Sequence, residues 1–267
     1  MEKKLLFSII VVSLNAGKTI GKTMESILSQ NCDDYEVIVK DGGSLDETVS
    51  LVPDNKHFII IEQKDTGIYD AMNQAIAASN GQYLIFMNCG DTFAHADVLR
   101  IVKQEIGNDN PAMVFGNYIR DGIVHEQPGA LTSFYLYRTP LCHQTIFFNG
   151  ELLREKYLYD VSYKILADYD LELRLHFDGC ETRHVDTTVC GYLGGGVSES
   201  PAGRLRAREE RRAILPKYYS VLSRLIYECI LVMTFRKLRV WIMSENGPVW
   251  LKNFYQTVVN QINRLSR

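Results

Sequence analysis

Four apolar runs, each closed by a polar residue and most followed by helical periodicity, constrain this chain more than any other feature. Phe7 to Leu14 is a continuous, largely β-branched run and reads as a strand buried on both faces. Asn15-Ala-Gly17 turns the chain, and Ile20, Met24, Ile27 and Leu28 then recur at helical spacing to about Gln30. Tyr35 to Lys40 reads as a second strand closed by Asp41-Gly42-Gly43-Ser44. Ser44-Leu-Asp-Glu47 has the form of a capping box and should open a short helix. Phe58 to Ile61 is a third strand, and Asp70 to Ala78 a narrow helix lined by Ala71, Ala75 and Ala78. Gln82 to Met87 is a fourth strand, ending at Asn88-Cys-Gly-Asp91. Strands alternating with helices in this way predict a parallel, doubly wound α/β sheet. With 46% hydrophobic residues and a net charge of −3, the 267-residue chain is neither disordered nor short of a core.

The second half changes character. Ala112 to Phe115, Gly122 to Val124 and Thr145 to Phe148 are short strand candidates. Leu166 to Phe177 reads as a helix, Thr182 to Tyr192 as a strand and Gly194 to Gly196 as a loop able to hinge. From Ala202 to about Met243 the pattern is helical and basic. These boundaries predict an α/β domain over residues 1–200 and a basic helical extension over residues 201–267.

Ligands of a doubly wound sheet bind beyond the carboxyl ends of its strands. The candidates there are Asn15, Asp41, Asp65 and the pair Asn88 and Asp91, a denser set than loop polarity requires. Other patterns fail on spacing. Gly17-Lys18-Thr19 and Gly21-Lys22-Thr23 look like pieces of a phosphate loop, but the glycine such a loop needs is replaced by Val12 and Ala16. His176, Cys180 and His184 fall at steps of four, yet Asp178-Gly179 ends the helix between them, so no zinc site is expected. The six cysteines form no C-x-x-C pair and read as free thiols of a reducing compartment. No small-residue cleavage site follows the Leu5 to Leu14 run, and no window reaches the ~20 apolar residues of a spanning helix. A cytoplasmic protein is expected.

The run Asp65-Thr-Gly-Ile-Tyr-Asp-Ala-Met-Asn73, followed by Gly81-Gln-Tyr-Leu-Ile-Phe-Met-Asn-Cys-Gly-Asp91, resembles the family 2 glycosyltransferases of the GT-A fold. It is most similar to the bacterial branch that builds surface polysaccharides and carries a D-x-G-I-Y-D-A-M-N signature. Phe7 to Asn15, Asp41-Gly-Gly-Ser-Leu-Asp46, His143-Gln-Thr and Ala167-Asp-Tyr-Asp-Leu171 support it, so the resemblance covers about residues 6–200. It implies transfer of a sugar from a nucleoside-diphosphate sugar to an acceptor hydroxyl with inversion. A divalent cation, Mn²⁺ or Mg²⁺, would neutralise the leaving diphosphate, and a general base would activate the acceptor.

By that resemblance Asp91 is the metal ligand, although Asn88 and Cys89 stand where the family's cluster has further acids. Asp41 holds base or ribose, with Ser13, Asn15, Asn73 and Asn88 lining the donor pocket. One of Asp65 and Asp70 caps a helix and the other helps hold the donor. Asp168 is the general base, left free because Asp170 and Arg174 pair four residues apart. His143 and Gln144 contact acceptor or phosphate. The rival readings are a sugar-phosphate nucleotidyltransferase, whose Gly-rich, Arg-bearing loop Asn15-Ala-Gly-Lys18 does not supply, and a non-catalytic GT-A-like binding protein.

Residues 201–267 hold 13 Lys/Arg against 4 Glu and both tryptophans, whereas the preceding 200 residues are acidic. Arg236, Lys237 and Arg239 beside Trp241 suit an anionic membrane surface, where a sugar or lipid-linked saccharide acceptor would be presented. The acidic body opposes nucleic-acid binding.

Overall fold

The computed structural model describes residues 5–233, Met243, residues 248–254 and Thr257. The first half alternates as the apolar pattern requires: β1 (Phe7–Ser13), α1 (Ile20–Leu28), β2 (Tyr35–Asp41), β3 (Phe58–Glu62), α2 (Ile68–Ala78) and β4 (Tyr83–Asn88). Then come β5 (Thr92–Phe93), α3 (Val98–Ile106), β6 (Met113–Arg120), β7 (Ile123–His125), α4 (Ser133–Arg138), β8 (Ile146–Asn149) and α5 (Gly150–Glu155). The described chain closes with α6 (Ala167–Phe177), β9 (Thr182–Gly191), α7 (Pro201–Tyr218) and α8 (Val221–Met233).

Nine strands among the described residues form one sheet, ordered β3-β2-β1-β4-β8-β6-β9-β5, with β7 paired to β6. β3, β2, β1 and β4 are parallel, as are β6 and β9, while β8 enters antiparallel between β4 and β6. The sheet is therefore the mixed, helix-covered sheet of a GT-A fold. β1 is central and explains its sequence: Ile10 faces one core with Tyr69, Phe86, Phe148 and Tyr169, and Ile9 and Val11 face a second with Ile20, Met24, Val98 and Val102. Burial on both faces is what a two-sided apolar run anticipates.

Two local expectations are corrected. Ser44 does not cap a helix; its hydroxyl donates to Asp41 at 2.6 Å, and only a 3-10 turn, Val49–Leu51, follows. A helix spans 201–218 but breaks at Tyr219–Ser220, and α8 then turns back over α4, where Tyr227 packs on Phe134 and Tyr137. Arg236, Lys237, Arg239 and Trp241 lie outside the described residues. Among the described residues no helix is long and apolar enough to cross a membrane.

Candidate active site

The register of the parallel strands assembles the site. Ser13 lies opposite Asp41 across β1 and β2, and Val12 opposite Asn88 across β1 and β4, so three carboxyl-terminal strand ends meet at one edge. Beside them opens a cleft of about 1610 Å³ that runs between the β1 and β4 ends on one wall and α6 on the other. This exceeds the roughly 300–1,000 Å³ of a single small-molecule pocket.

Asp91 sits at the floor of the cleft and is 3% exposed. Gly90, with φ +106°, makes the turn that brings it there; a β-carbon at that position would meet the Leu193 side chain at 2.6 Å. The Leu193 amide donates to Asp91 at 2.8 Å, and the side chains of Gln144 and Asn88 also hydrogen-bond its carboxylate. Burial nevertheless raises its pKa, outweighing these three bonds. Among the described residues no basic side chain pairs with it, and a buried carboxylate of that kind suits a hard cation. Among the described residues there is no cluster of three or more His, Cys, Asp or Glu that could hold a metal.

Across the cleft, Asp168 is the second residue of α6. Its carboxylate accepts from the Tyr169 amide at 2.8 Å and from the Tyr69 hydroxyl at 3.1 Å. It does not cap α6, whose N-cap position is Leu166. Asp170 pairs with Arg174 at 3.1 Å, as the spacing anticipates, and also accepts from Tyr218. His143 lies beside Phe86, with Nε2 paired to the Tyr159 hydroxyl at 2.8 Å. Burial lowers its pKa and keeps the imidazole neutral at pH 7.

Ser13, Asn15, Asp65, Asp70, Asn88, Asp91, His143, Gln144 and Asp168 all line the cleft. Two candidates do not. Asp41 is fully buried behind it and accepts from Ser13 (2.9 Å), the Gly43 amide (2.8 Å) and both the amide and hydroxyl of Ser44 (2.6 Å each). Burial opposes the charge, but these bonds prevail and hold its pKa below the usual carboxylate range. Asn73 spends both ends of its amide on the Tyr159 backbone, at 2.9 Å each. Neither Asp65 nor Asp70 occupies the N-cap of α2, which is Gly67. Asp70 reaches back to the Thr66 amide at 2.8 Å, which lowers its pKa, and Asp65 accepts from the Gly67 amide at 3.1 Å and pairs with Lys40. Asn15 adopts φ 51° and accepts from the Leu45 amide.

Tyr69 also lines the cleft, and Lys40 and Tyr159 support it from behind through Asp65 and His143. Tyr69 stands inside the quoted signature, so its position was visible and its partner was not. Lys40, a lone ammonium closing an apolar strand, was the available signal for the buried pair with Asp65. The rejected zinc ligands each have another partner: His176 with Ser133, Cys180 with Tyr157 and His184 with Asn117.

The fold is that of a GT-A glycosyltransferase. The model of the family described as "Glycosyl transferase family 2" matches residues 8–156. A mycobacterial protein named "PGL/p-HBAD biosynthesis glycosyltransferase", from Mycobacterium tuberculosis, is 32% identical over 204 residues, covering 73% of this chain and 80% of that protein. An uncharacterized glycosyltransferase of Haemophilus influenzae is 26% identical over 225 residues, covering 75% of this chain and 69% of its own. Among solved structures, S. aureus TarS 1-349 in complex with UDP-GlcNAc superposes with TM-score 0.65 at 17% identity, covering 90% of this chain and 76% of that one. The mannosyltransferase PcManGT from Pyrobaculum calidifontis, in complex with GDP-Man and Mn²⁺, gives TM-score 0.61 at 16% identity, covering 80% and 63%. This chain belongs to glycosyl transferase family 2 and is a transferase.

Proposed function

We propose that the protein is an inverting, divalent-metal-dependent glycosyltransferase that moves a sugar from a nucleoside-diphosphate sugar to an acceptor hydroxyl. The observation that carries this reading is the pair of carboxylates facing one cleft from opposite walls, Asp91 buried at the strand ends and Asp168 on α6. Asp91 is the residue that would hold Mn²⁺ or Mg²⁺, and such a cation, when bound, neutralises charge on the departing diphosphate. Asn88 and Gln144 orient the Asp91 carboxylate from either side. Ser13, Asn15, Asp65 and Asp70 form the donor wall. Asp41 and Asn73 serve the donor from behind that wall, by fixing the Asp41–Ser44 turn and the α2–Tyr159 contact.

Asp168 accepts the proton of the attacking hydroxyl, held in place by Tyr69. One carboxylate on the acceptor side, acting as base rather than nucleophile, gives single displacement and hence inversion. His143, kept neutral by burial, adds no positive charge beside Asp91 and can hydrogen-bond an acceptor hydroxyl. The resemblance carried by the Asp65–Asn73 run supports a role in assembling cell-surface saccharides on a sugar or lipid-linked acceptor. The outward arginines of α7 and the exposed Trp250 and Phe254 support peripheral contact with the inner face of the cytoplasmic membrane.

Thermal stabilisation by UDP, GDP, dTDP and CDP, each with and without Mn²⁺, tests the reading. Ligand at about a hundred times its Kd adds about 2.7 kcal/mol of apparent stability. One nucleotide should stabilise in a Mn²⁺-dependent manner, and Asp91→Ala should abolish the metal dependence. Absence of a shift with every nucleotide, in folded protein, contradicts the proposal. Asp168→Asn should retain nucleotide binding and lose transfer. Co-sedimentation with anionic vesicles checks the membrane contact.

A further inference from the structure

Helix α7 turns arginines outward, yet one of its acidic residues, Glu210, is 5% exposed. With Gly203 and Ile214 it completes the buried stripe of that helix. Its carboxylate accepts from three consecutive backbone amides of another element: Lys164 at 2.8 Å, Ile165 at 3.0 Å and Leu166 at 2.9 Å. Arg206, one turn earlier on α7, donates to Glu210 at 3.0 Å. Burial works against the charge, but the Lys164 amide, Arg206 and the other two amides together hold the pKa below the usual glutamate range.

The three amides immediately precede α6. Leu166 is the N-cap residue of that helix and has no side chain able to accept a hydrogen bond. A helix start leaves amides that need partners and a partial positive charge that favours an anion. Here Glu210 supplies that anion from a different helix and takes the Leu166 amide along with the two before it, while the Tyr169 amide bonds to Asp168. The same segment is anchored on its other side: the Ile165 carbonyl accepts from the Tyr69 hydroxyl at 2.6 Å, and that hydroxyl lies 3.1 Å from Asp168. Glu210 and Tyr69 therefore grip residues 164–166 from two directions, and Asp168 is two residues beyond.

We infer that Glu210 is a positioning residue for Asp168, and that α7 works in catalysis through it. The inference rests on the reading of Asp168 as the base. Glu210 touches no cleft surface, so its effect reaches the reaction through the placement of the α6 start.

The test is a cycle on the full-length chain: Glu210→Gln, Asp168→Asn and the double variant. The readout is release of nucleoside diphosphate from the sugar nucleotide that the nucleotide panel selects, with water as acceptor. Gln keeps the size of Glu but presents an NH₂ where an oxygen accepted. Glu210→Gln should lower kcat by about a hundredfold, the scale of a misplacement of about 1 Å, with the donor KM unchanged. The double variant should be no slower than Asp168→Asn alone, because the positioned group is already gone. A folded Glu210→Gln enzyme with wild-type kcat overturns the inference, as does a double variant in which the two losses multiply. Wild-type turnover by Asp168→Asn instead removes the base reading beneath it, which keeps the two failures apart. If Glu210→Gln does not fold, Glu210→Asp decides, since it keeps the charge but withdraws the oxygens by one methylene. A reduced kcat at constant KM then supports positioning, and an unchanged kcat overturns it.

Discussion

At the scale of single residues, buried charges govern the behaviour of this protein. Lys40 is fully buried, and its ammonium reaches Asp65 at 3.1 Å, the Asp41 carbonyl at 3.0 Å and the Gln63 carbonyl. It thereby ties the end of β2 to the start of the signature segment. Removing one partner of such a pair strands the other, at a cost of about 3–5 kcal/mol, with Asp65's partial solvent access placing the loss at the lower end. Lys40→Met should lower the urea midpoint with an unchanged m-value, and Asp65→Asn in the same chain should recover part of the loss. Glu172, one turn beyond Asp168, is also fully buried. It accepts from the Leu141 amide at 2.9 Å, while its other oxygen has no partner among the described residues. Burial first, and the Asp168 charge second, raise its pKa well above the usual glutamate value. The folded protein therefore keeps a proton that the unfolded chain releases above about pH 4.3. Stability then falls as pH rises from that point to the folded pKa, by about 1.4 kcal/mol per pH unit for one proton. Glu172→Gln retains an acceptor for Leu141 and should flatten this slope, giving a variant more stable than wild type at neutral pH. Chemical denaturation between pH 5 and 8 measures it; parallel wild-type and variant profiles would reject the assignment.

At the scale of elements, legibility followed the physics of each segment. β1, β2, β3 and β4 were readable because strands of a covered parallel sheet are written as apolar runs, and strand ends stood out as the first polar residues. The cleft-lining Asn15, Asp65, Asn88 and Asp91 came directly from that rule. α6 was readable at both ends, and with it Asp168 and the Asp170–Arg174 pair. α3 shows the helical spacing of its buried Val98, Leu99, Val102 and Ile106. β5, α4 and α5 are too short to show a period. Contacts between distant segments were hidden altogether. Nothing local states that both ends of the Asn73 amide meet Tyr159, or that Gln144 meets Asp91. Ser44 is instructive in the opposite sense: its capping-box spacing is genuine, but Asp41 competes for the hydroxyl and wins. Glu210 was concealed by composition, since an acid among arginines reads as a solvated face. Its seven-residue spacing from Gly203 was the signal that placed it inside.

At the scale of the whole molecule, the division expected at residue 200 separates charge more cleanly than it separates structure. Upstream of it lies the acidic body, and downstream α7 presents arginines to solvent. Yet Tyr219 packs on Tyr137 and on Phe177, Arg211 lies over the ring of Tyr169 at 5.2 Å, and Ile214 is fully buried in the core that holds Phe86 and Phe148. Tyr137 in turn donates to Glu228 of α8 at 2.8 Å. A chain ending at Ser200 would expose this aromatic cluster and leave the amides before α6 without Glu210. Stacked and edge-on ring pairs contribute about 0.5–1.5 kcal/mol each beyond their buried area, so several lost together are a large part of the roughly 5–15 kcal/mol that holds a domain folded. Residues 1–200 alone should therefore lose a cooperative thermal transition and bind a hydrophobic dye. A chain ending at residue 247, which keeps α7 and α8, should melt cooperatively within a few degrees of the 267-residue chain. Cooperative unfolding of residues 1–200 at the full-length temperature would show the two regions to be independent, and α7 would then be an extension that carries charge to a surface and nothing more.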